Sequence, residues 1–161
     1  MLPRILPLII GLILFQPACF ASGLSPASIS EIPLYAISLI GTPYRYGGKS
    51  PDTGMDCSGF VGHVFKQTTG VQLPPNAQQI SQRGQVLQTA ELQPGDLVFF
   101  NTLNRAFSHV GIYLGENRFV HSTSSSTAKV MVSSMNDNYW SKRFDGARRL
   151  PGSSSGNPPQ P

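Results

Sequence analysis

The chain has 161 residues, twelve Lys and Arg against eight Asp and Glu, a formal charge of +4 and 40% hydrophobic residues, enough for one domain with one core and too little for two. Its basic residues are scattered apart from Lys142-Arg143 and Arg148-Arg149, so the basic stripe with interleaved aromatics that nucleic acid requires is missing, and a mild positive balance suits an anionic polymer instead. Only two cysteines occur, Cys19 and Cys57, and the first lies in a leader, which excludes a disulfide framework and leaves Cys57 as a lone thiol.

Residues 1 to 21 open with Arg4, continue through the apolar run from Ile5 to Phe15 and end in the small residues Ala18 and Ala21. This is the pattern of a signal peptide, too short and too interrupted by proline for a stable span, and it places the protein outside the cytoplasm. Cleavage near Ala21 is the expected processing. Cys19 offers a second route, lipidation after cleavage just before it, but Gln16-Pro17-Ala18 provides a small residue only at the last position. Residues 22–33 read as a linker, 34–150 as a single catalytic domain, and 151–161 as a disordered tail with no large apolar side chain to bury.

Within the domain, Ile32, Tyr35, Ala36 and Leu39 recur at helical spacing, and Gly41-Thr42-Pro43 stops that helix. Lys49 to Met55 is polar and reads as loop. Phe60, Val61, Val64 and Phe65 then follow Cys57 at intervals of three and four, so a helix starts there with Asp56 as N-cap. Cys57 falls in its first turn, where the partial positive charge of the helix favours thiolate over thiol. His63, six residues on and about 240° round the helix, points away from the thiol and is expected on the surface. Leu73 to Gln82 reads as loop passing into a short helix, Leu92 to Asp96 as a turn, and Leu97-Val98-Phe99-Phe100 as a central strand.

Two strands follow, Ser108 to Leu114 and Arg118 to Ser122. A two-residue loop between them would put His109 and His121 on opposite faces, because side chains alternate along a strand. A three-residue loop, Gly115-Glu116-Asn117, pairs Leu114 with Arg118, Ile112 with Val120 and Tyr113 with Phe119. It sets His121 opposite Gly111, diagonal to His109 on the same face. That register is preferred, since it keeps apolar residues opposite apolar ones. Lys129 to Ser133 and Phe144 to Leu150 read as further strands.

A thiol, a base and an orienting group are what attack on an amide requires: His109 takes the thiol proton and His121 holds the imidazole of His109 in one tautomer and aim. The same three side chains could bind zinc, but no Cys-x-x-Cys or His-x-x-x-His pairing is present to anchor a metal. The run Ser122 to Thr127 is expected to be a loop, since the Gly-x-Ser-x-Gly elbow of a catalytic serine is absent.

Taken together, Gly41-Thr-Pro-Tyr-Arg-Tyr-Gly-Gly48, Asp56-Cys57-Ser58-Gly59-Phe60-Val61, Leu92-Gln-Pro-Gly-Asp-Leu-Val98 and His109-Val-Gly-Ile-Tyr113 resemble the motifs of the NlpC-type cysteine peptidases of bacterial cell walls. The likeness runs from about Ile37 to Leu150, and the segment from Ser133 to Phe144 is most similar to the Spr-type murein DD-endopeptidases. The resemblance implies an α+β, papain-like fold in circularly rearranged form, with an N-terminal helix bearing the nucleophile packed on a central antiparallel β-sheet. It implies Cys57 as nucleophile, His109 as base and His121 as third polar residue, with no cofactor and no metal. Tyr44 maps to the family's motif tyrosine, near the thiol and beside the oxyanion, while Asp56 and Ser58 become candidates for holding the peptide stem.

The implied substrate is a peptidoglycan stem peptide, cut at the D-alanine to meso-diaminopimelate cross-link or, alternatively, between D-glutamate and diaminopimelate. The implied place is the periplasm. Spr-type proteins are usually anchored to the outer membrane through lipid on a cysteine such as Cys19, from which the weak lipoprotein signal here departs. A transferase on the same fold, intercepting the thioester with an amine or alcohol, and an inactive wall-binding protein are the rival functions.

Overall fold

A computed structural model describes residues 31–152. The expected signal peptide with Cys19, the expected linker up to residue 30 and the expected tail from residue 153 lie outside the described residues. Helix α1, Glu31–Ser38, buries Ile32, Pro33 and Ala36. The linker expected to reach residue 33 therefore loses its last three residues to α1, because a proline in a helix's first turn removes no internal hydrogen bond. Gly41, at φ +93, turns the chain away. A two-stranded ribbon, β1 Lys49–Ser50 and β2 Gly54–Met55, occupies the stretch that sequence alone reads as loop.

Helix α2 spans Cys57–Thr69. Asp56 caps it, with Oδ1 accepting from the Gly59 N–H at 2.7 Å, and Gly70 closes it in the left-handed conformation with its N–H on the Lys66 carbonyl. The short helix α3, Ala77–Ile80, is capped by Asn76. Strands β3 Gln85–Leu87, β4 Leu97–Phe100, β5 His109–Gly115, β6 Arg118–Thr123 and β7 Lys129–Ser134 follow, then helix α4, Asn138–Ser141, and strand β8, Phe144–Arg149. The six longer strands form one antiparallel sheet in the order β3-β8-β4-β5-β6-β7. Among the described residues no helix is long and apolar enough to cross a membrane.

Alternation sorts the sheet into two faces. Leu97, Phe99, Val110, Ile112 and Val120 pack with Phe60, Val64 and Phe65 of α2, while Val98, Phe100, Tyr113, Phe119 and Ala147 form a second cluster on the other side. Both faces of β4 are buried, as its continuous apolar run predicts, and each such side chain contributes roughly 1.5–3 kcal/mol. Arg149 clamps the turn before β4 from β8, its Nε 2.8 Å from Oδ1 and its Nη2 2.7 Å from Oδ2 of Asp96, which is 1% exposed.

The β5–β6 hairpin keeps the preferred register, Ile112 opposite Val120 and Tyr113 opposite Phe119. Its loop differs from the expected one. Arg118 pairs with Gly115, not Leu114, and the register shifts between Tyr113 and Gly115. Glu116 and Asn117, at φ +51 and +56, make a two-residue turn of the kind whose twist matches a hairpin. A bulge at Leu114 absorbs the extra residue, so the strand bodies stay in the register of the longer loop.

Candidate active site

The nucleophile end of the site is local in sequence. Gly48 and Gly59 lie against one another: a Cβ on Gly59 would stand 2.0 Å from the Gly48 carbonyl oxygen, so the first turn of α2 rests directly on the preceding glycine turn. Asp56 ties the two together. Its Oδ2 accepts from the Gly47 N–H at 2.9 Å, and its own N–H donates to the Gly48 carbonyl at 3.2 Å. This holds the Tyr44 segment beside the helix start. Tyr44 lines the cleft with Cys57 and bonds the side chain of Ser124; burial, then the neighbouring Cys57 and Asp56, raise its phenol.

The polar atoms of Asp56 and Ser58 face inward, although both border the cleft. Besides the cap, Asp56 Oδ1 lies 2.9 Å from Ser58 Oγ, which is also 2.9 Å from the Pro75 carbonyl. Ser58 is 7% exposed. Their hydrogen bonds fix the helix start and the Pro75 loop, and both stay on the cleft as candidates for holding the peptide stem.

The thiol of Cys57 is half-buried, and the nearby backbone N–H groups of Val110 and Ser58 favour its charged form. Burial and then the carboxylate of Asp56 push it up to about 11. The sequence reading expected the opposite direction from the helix terminus. A partial positive charge is outweighed once the sulfur is desolvated against β5 with a full negative charge on the adjacent residue.

His109 and His121 stand on the sheet face that carries Phe100 and Phe119, whereas α2 covers the other face. Thiol and base therefore approach around the end of β5, at the Val110 N–H, and not across one face as a base facing the helix terminus would. The charge of Asp56 reaches His109, and all three side chains open on one cleft of about 1190 Å³. His109 Nε2 lies 2.8 Å from His121 Nδ1, as the register argument requires. Burial pushes His109 down to about 4, and burial together with His109 holds His121 lower still. Burial thus favours the uncharged form of all three side chains. Nitrogens sharing a hydrogen bond at 2.8 Å are closer than the ~3.3 Å that two ligands span at a tetrahedral zinc, and among the described residues no cluster of three His, Cys, Asp or Glu is arranged to hold a metal.

Two residues join the site that the sequence did not single out. Trp140 of α4 stacks on His109, centroids 5.4 Å apart at 30°, and sets its ring edge-on to His121 at 4.9 Å, shielding their shared hydrogen bond. Ser133 Oγ lies 2.9 Å from His121 Nε2. Only the alternation of β7 could have flagged it. His63 is corrected as well: it is half-buried, 3.1 Å from the Tyr35 hydroxyl and stacked on that ring, a contact between α1 and α2. In the serine run, Ser122 belongs to β6 and donates to the Met55 carbonyl at 2.6 Å, and only the residues beyond Thr123 form a loop.

Beyond the catalytic end the cleft is flanked by Lys49, Arg105, Tyr139 and Tyr46, the last 89% exposed. The carboxylates of Asp56 and Asp137 line the same cleft.

The NlpC/P60 family model matches residues 41–149. Murein DD-endopeptidase MepS/murein LD-carboxypeptidase of Escherichia coli K12 is 44% identical over 110 residues, 68% of this chain and 56% of that protein. Gamma-DL-glutamyl hydrolase of Bacillus subtilis is 41% identical over 124 residues, 75% of this chain and 30% of that protein. The chain thus spans about half or less of the length of these relatives. A crystal structure of an NlpC/P60 family protein from Bacillus cereus superposes with a TM-score of 0.68 at 29% identity, covering 78% of this chain and 41% of that one.

Proposed function

The chain belongs to the NlpC/P60 family, with its α+β, papain-like fold, and from that premise we propose that it is a peptidoglycan endopeptidase that hydrolyses stem-peptide amide bonds through an acyl-enzyme. The observation that carries the reading is the hydrogen-bonded pair His109–His121 on the cleft that Cys57 also lines, with the Val110 backbone next to His109 near the thiol. As sulfur attacks the scissile carbonyl, the S–H proton passes to Nδ1 of His109, the S–C bond forms and the carbonyl electron pair moves to oxygen. That oxygen is met by the Cys57 N–H and the Tyr44 hydroxyl. The C–N bond then breaks as His109 returns the proton to the leaving amine. Water adds to the thioester, giving its proton to His109, and the thiol is regenerated with the free acid.

The favoured bond is the D-alanine to meso-diaminopimelate cross-link, as the name of the Escherichia coli relative supports; the name of the Bacillus subtilis relative supports the D-glutamyl alternative. Lys49 and Arg105 at the cleft suit the carboxylates of either stem. The leader read from residues 1 to 21 puts the reaction in the periplasm, with lipid on Cys19 as a second mode of attachment.

Digestion of purified muropeptides, with products weighed, is the test. Wild-type protein should release cut stems in the presence of EDTA, and Cys57→Ala should release none while melting normally. Normal hydrolysis by Cys57→Ala, or loss to EDTA restored by zinc, would remove the mechanism.

A further inference from the structure

We propose that Ser133 is a positioning residue that fixes the tautomer of His121 and, through it, keeps Nδ1 of His109 free to accept the thiol proton. The inference rests on the thiol-peptidase reading above. In the β6–β7 register Phe119 faces Ser133 and His121 faces Met131, so Ser133 is the diagonal neighbour of His121 on the same face. Its Oγ lies 2.9 Å from Nε2, and His121 Nδ1 lies 2.8 Å from Nε2 of His109. The three groups form one string, and the ring nitrogen of His109 that lies outside it, Nδ1, is the one left for the thiol that lines the same cleft.

The string can carry its protons in two directions. In the forward arrangement His121 Nε2–H donates to Ser133 Oγ, His109 Nε2–H donates to His121 Nδ1, and Nδ1 of His109 keeps a lone pair for the S–H. In the reverse arrangement Ser133 donates, His121 carries its proton on Nδ1, and His109 is left with an N–H where a base is needed.

The proton transfer separates them. Once His109 has taken the thiol proton, both its nitrogens carry hydrogen, and the reverse arrangement would press two N–H groups together at 2.8 Å. The forward arrangement needs no rearrangement at all. It does require an acceptor for His121 Nε2–H, because His121, although it borders the cleft, is only 1% exposed. A buried donor without a partner is costly. Ser133, half-buried and bordering the cleft, is that acceptor, and its own proton can face the cleft.

The experiment reads the tautomer directly. Long-range proton–nitrogen correlation spectra of histidine-labelled wild-type protein should show His121 protonated on Nε2. In Ser133→Ala the Nδ1–H form should appear, with kcat down roughly 5- to 150-fold, the range of an orphaned buried donor, and KM unchanged. Ser133→Thr, which keeps the hydroxyl on a strand that accepts β-branching, should restore both tautomer and kcat. A His121 that stays in the Nε2–H form in Ser133→Ala, or a threonine variant with the alanine phenotype, would overturn the proposal. The spectra need no substrate, so the tautomer result stands even if stem peptides prove not to be what the enzyme cuts.

Discussion

Placing the thiol near 11 and His109 near 4 predicts that the free enzyme holds almost no thiolate at neutral pH. At pH 7 the separation 11 − 7 = 4 leaves a thiolate fraction of about 10⁻⁴, some hundredfold below that of a cysteine at an ordinary value of 9.0. Thiolate absorbs in the ultraviolet where thiol does not, so the difference spectrum of wild type minus Cys57→Ala counts the charged sulfur. It should stay flat from pH 5 to pH 9 and rise only above that. Asp56→Asn, which keeps a capping oxygen and removes the adjacent charge, should bring the rise to lower pH. His109→Ala should leave the flat region unchanged, because no thiolate–imidazolium pair exists to be broken. One full equivalent of thiolate absorbance at pH 6, lost in His109→Ala, would refute the neutral resting state and restore the helix terminus as the dominant influence.

His109→Ala should lower turnover at least ~10²-fold, the usual contribution of a positioned base, and His121→Gln or His121→Asn should keep more activity in steady-state muropeptide assays than His121→Ala. A His121→Ala variant as active as His121→Gln would remove the orienting role. Acid should destabilise the fold through His109. Its folded value near 4 lies below the ordinary 6.5, so below pH 6.5 the unfolded chain takes up a proton that the folded one refuses, and stability falls until pH 4. The separation of 6.5 − 4 = 2.5 corresponds to about 3 kcal/mol. Denaturant titrations should show this loss between those limits, and His109→Gln should show a smaller one; equal losses would exclude the assignment.

Much of this site is written in local sequence. The Asp56 cap, the α2 stripe and the β5–β6 register all follow from periods of 3.6 and 2, and so does the meeting of His109 with His121. The bulge at Leu114 escaped because a two-residue turn with one bulged residue and a three-residue loop give the strands the same register. The β1–β2 ribbon is too short to show a period. Ser133 and Trp140 come to the histidines through the β6–β7 pairing and the chain's return along α4, contacts that no local window contains. The thiol's direction was misread for a similar reason: the helix terminus is visible in the sequence, whereas the desolvation imposed by β5 depends on tertiary packing.

A protonated sulfur has a further meaning for the export proposed from residues 1 to 21. Peroxides, small disulfides and the oxidants that install disulfides all react with thiolate, and a lone cysteine caught by them has no partner to resolve the adduct. With the charge withheld until a scissile carbonyl and His109 are both in place, Cys57 presents little to such reagents between turnovers. The desolvation that makes it a poor free nucleophile also suits a cysteine left free among the described residues to the oxidising compartment proposed for it.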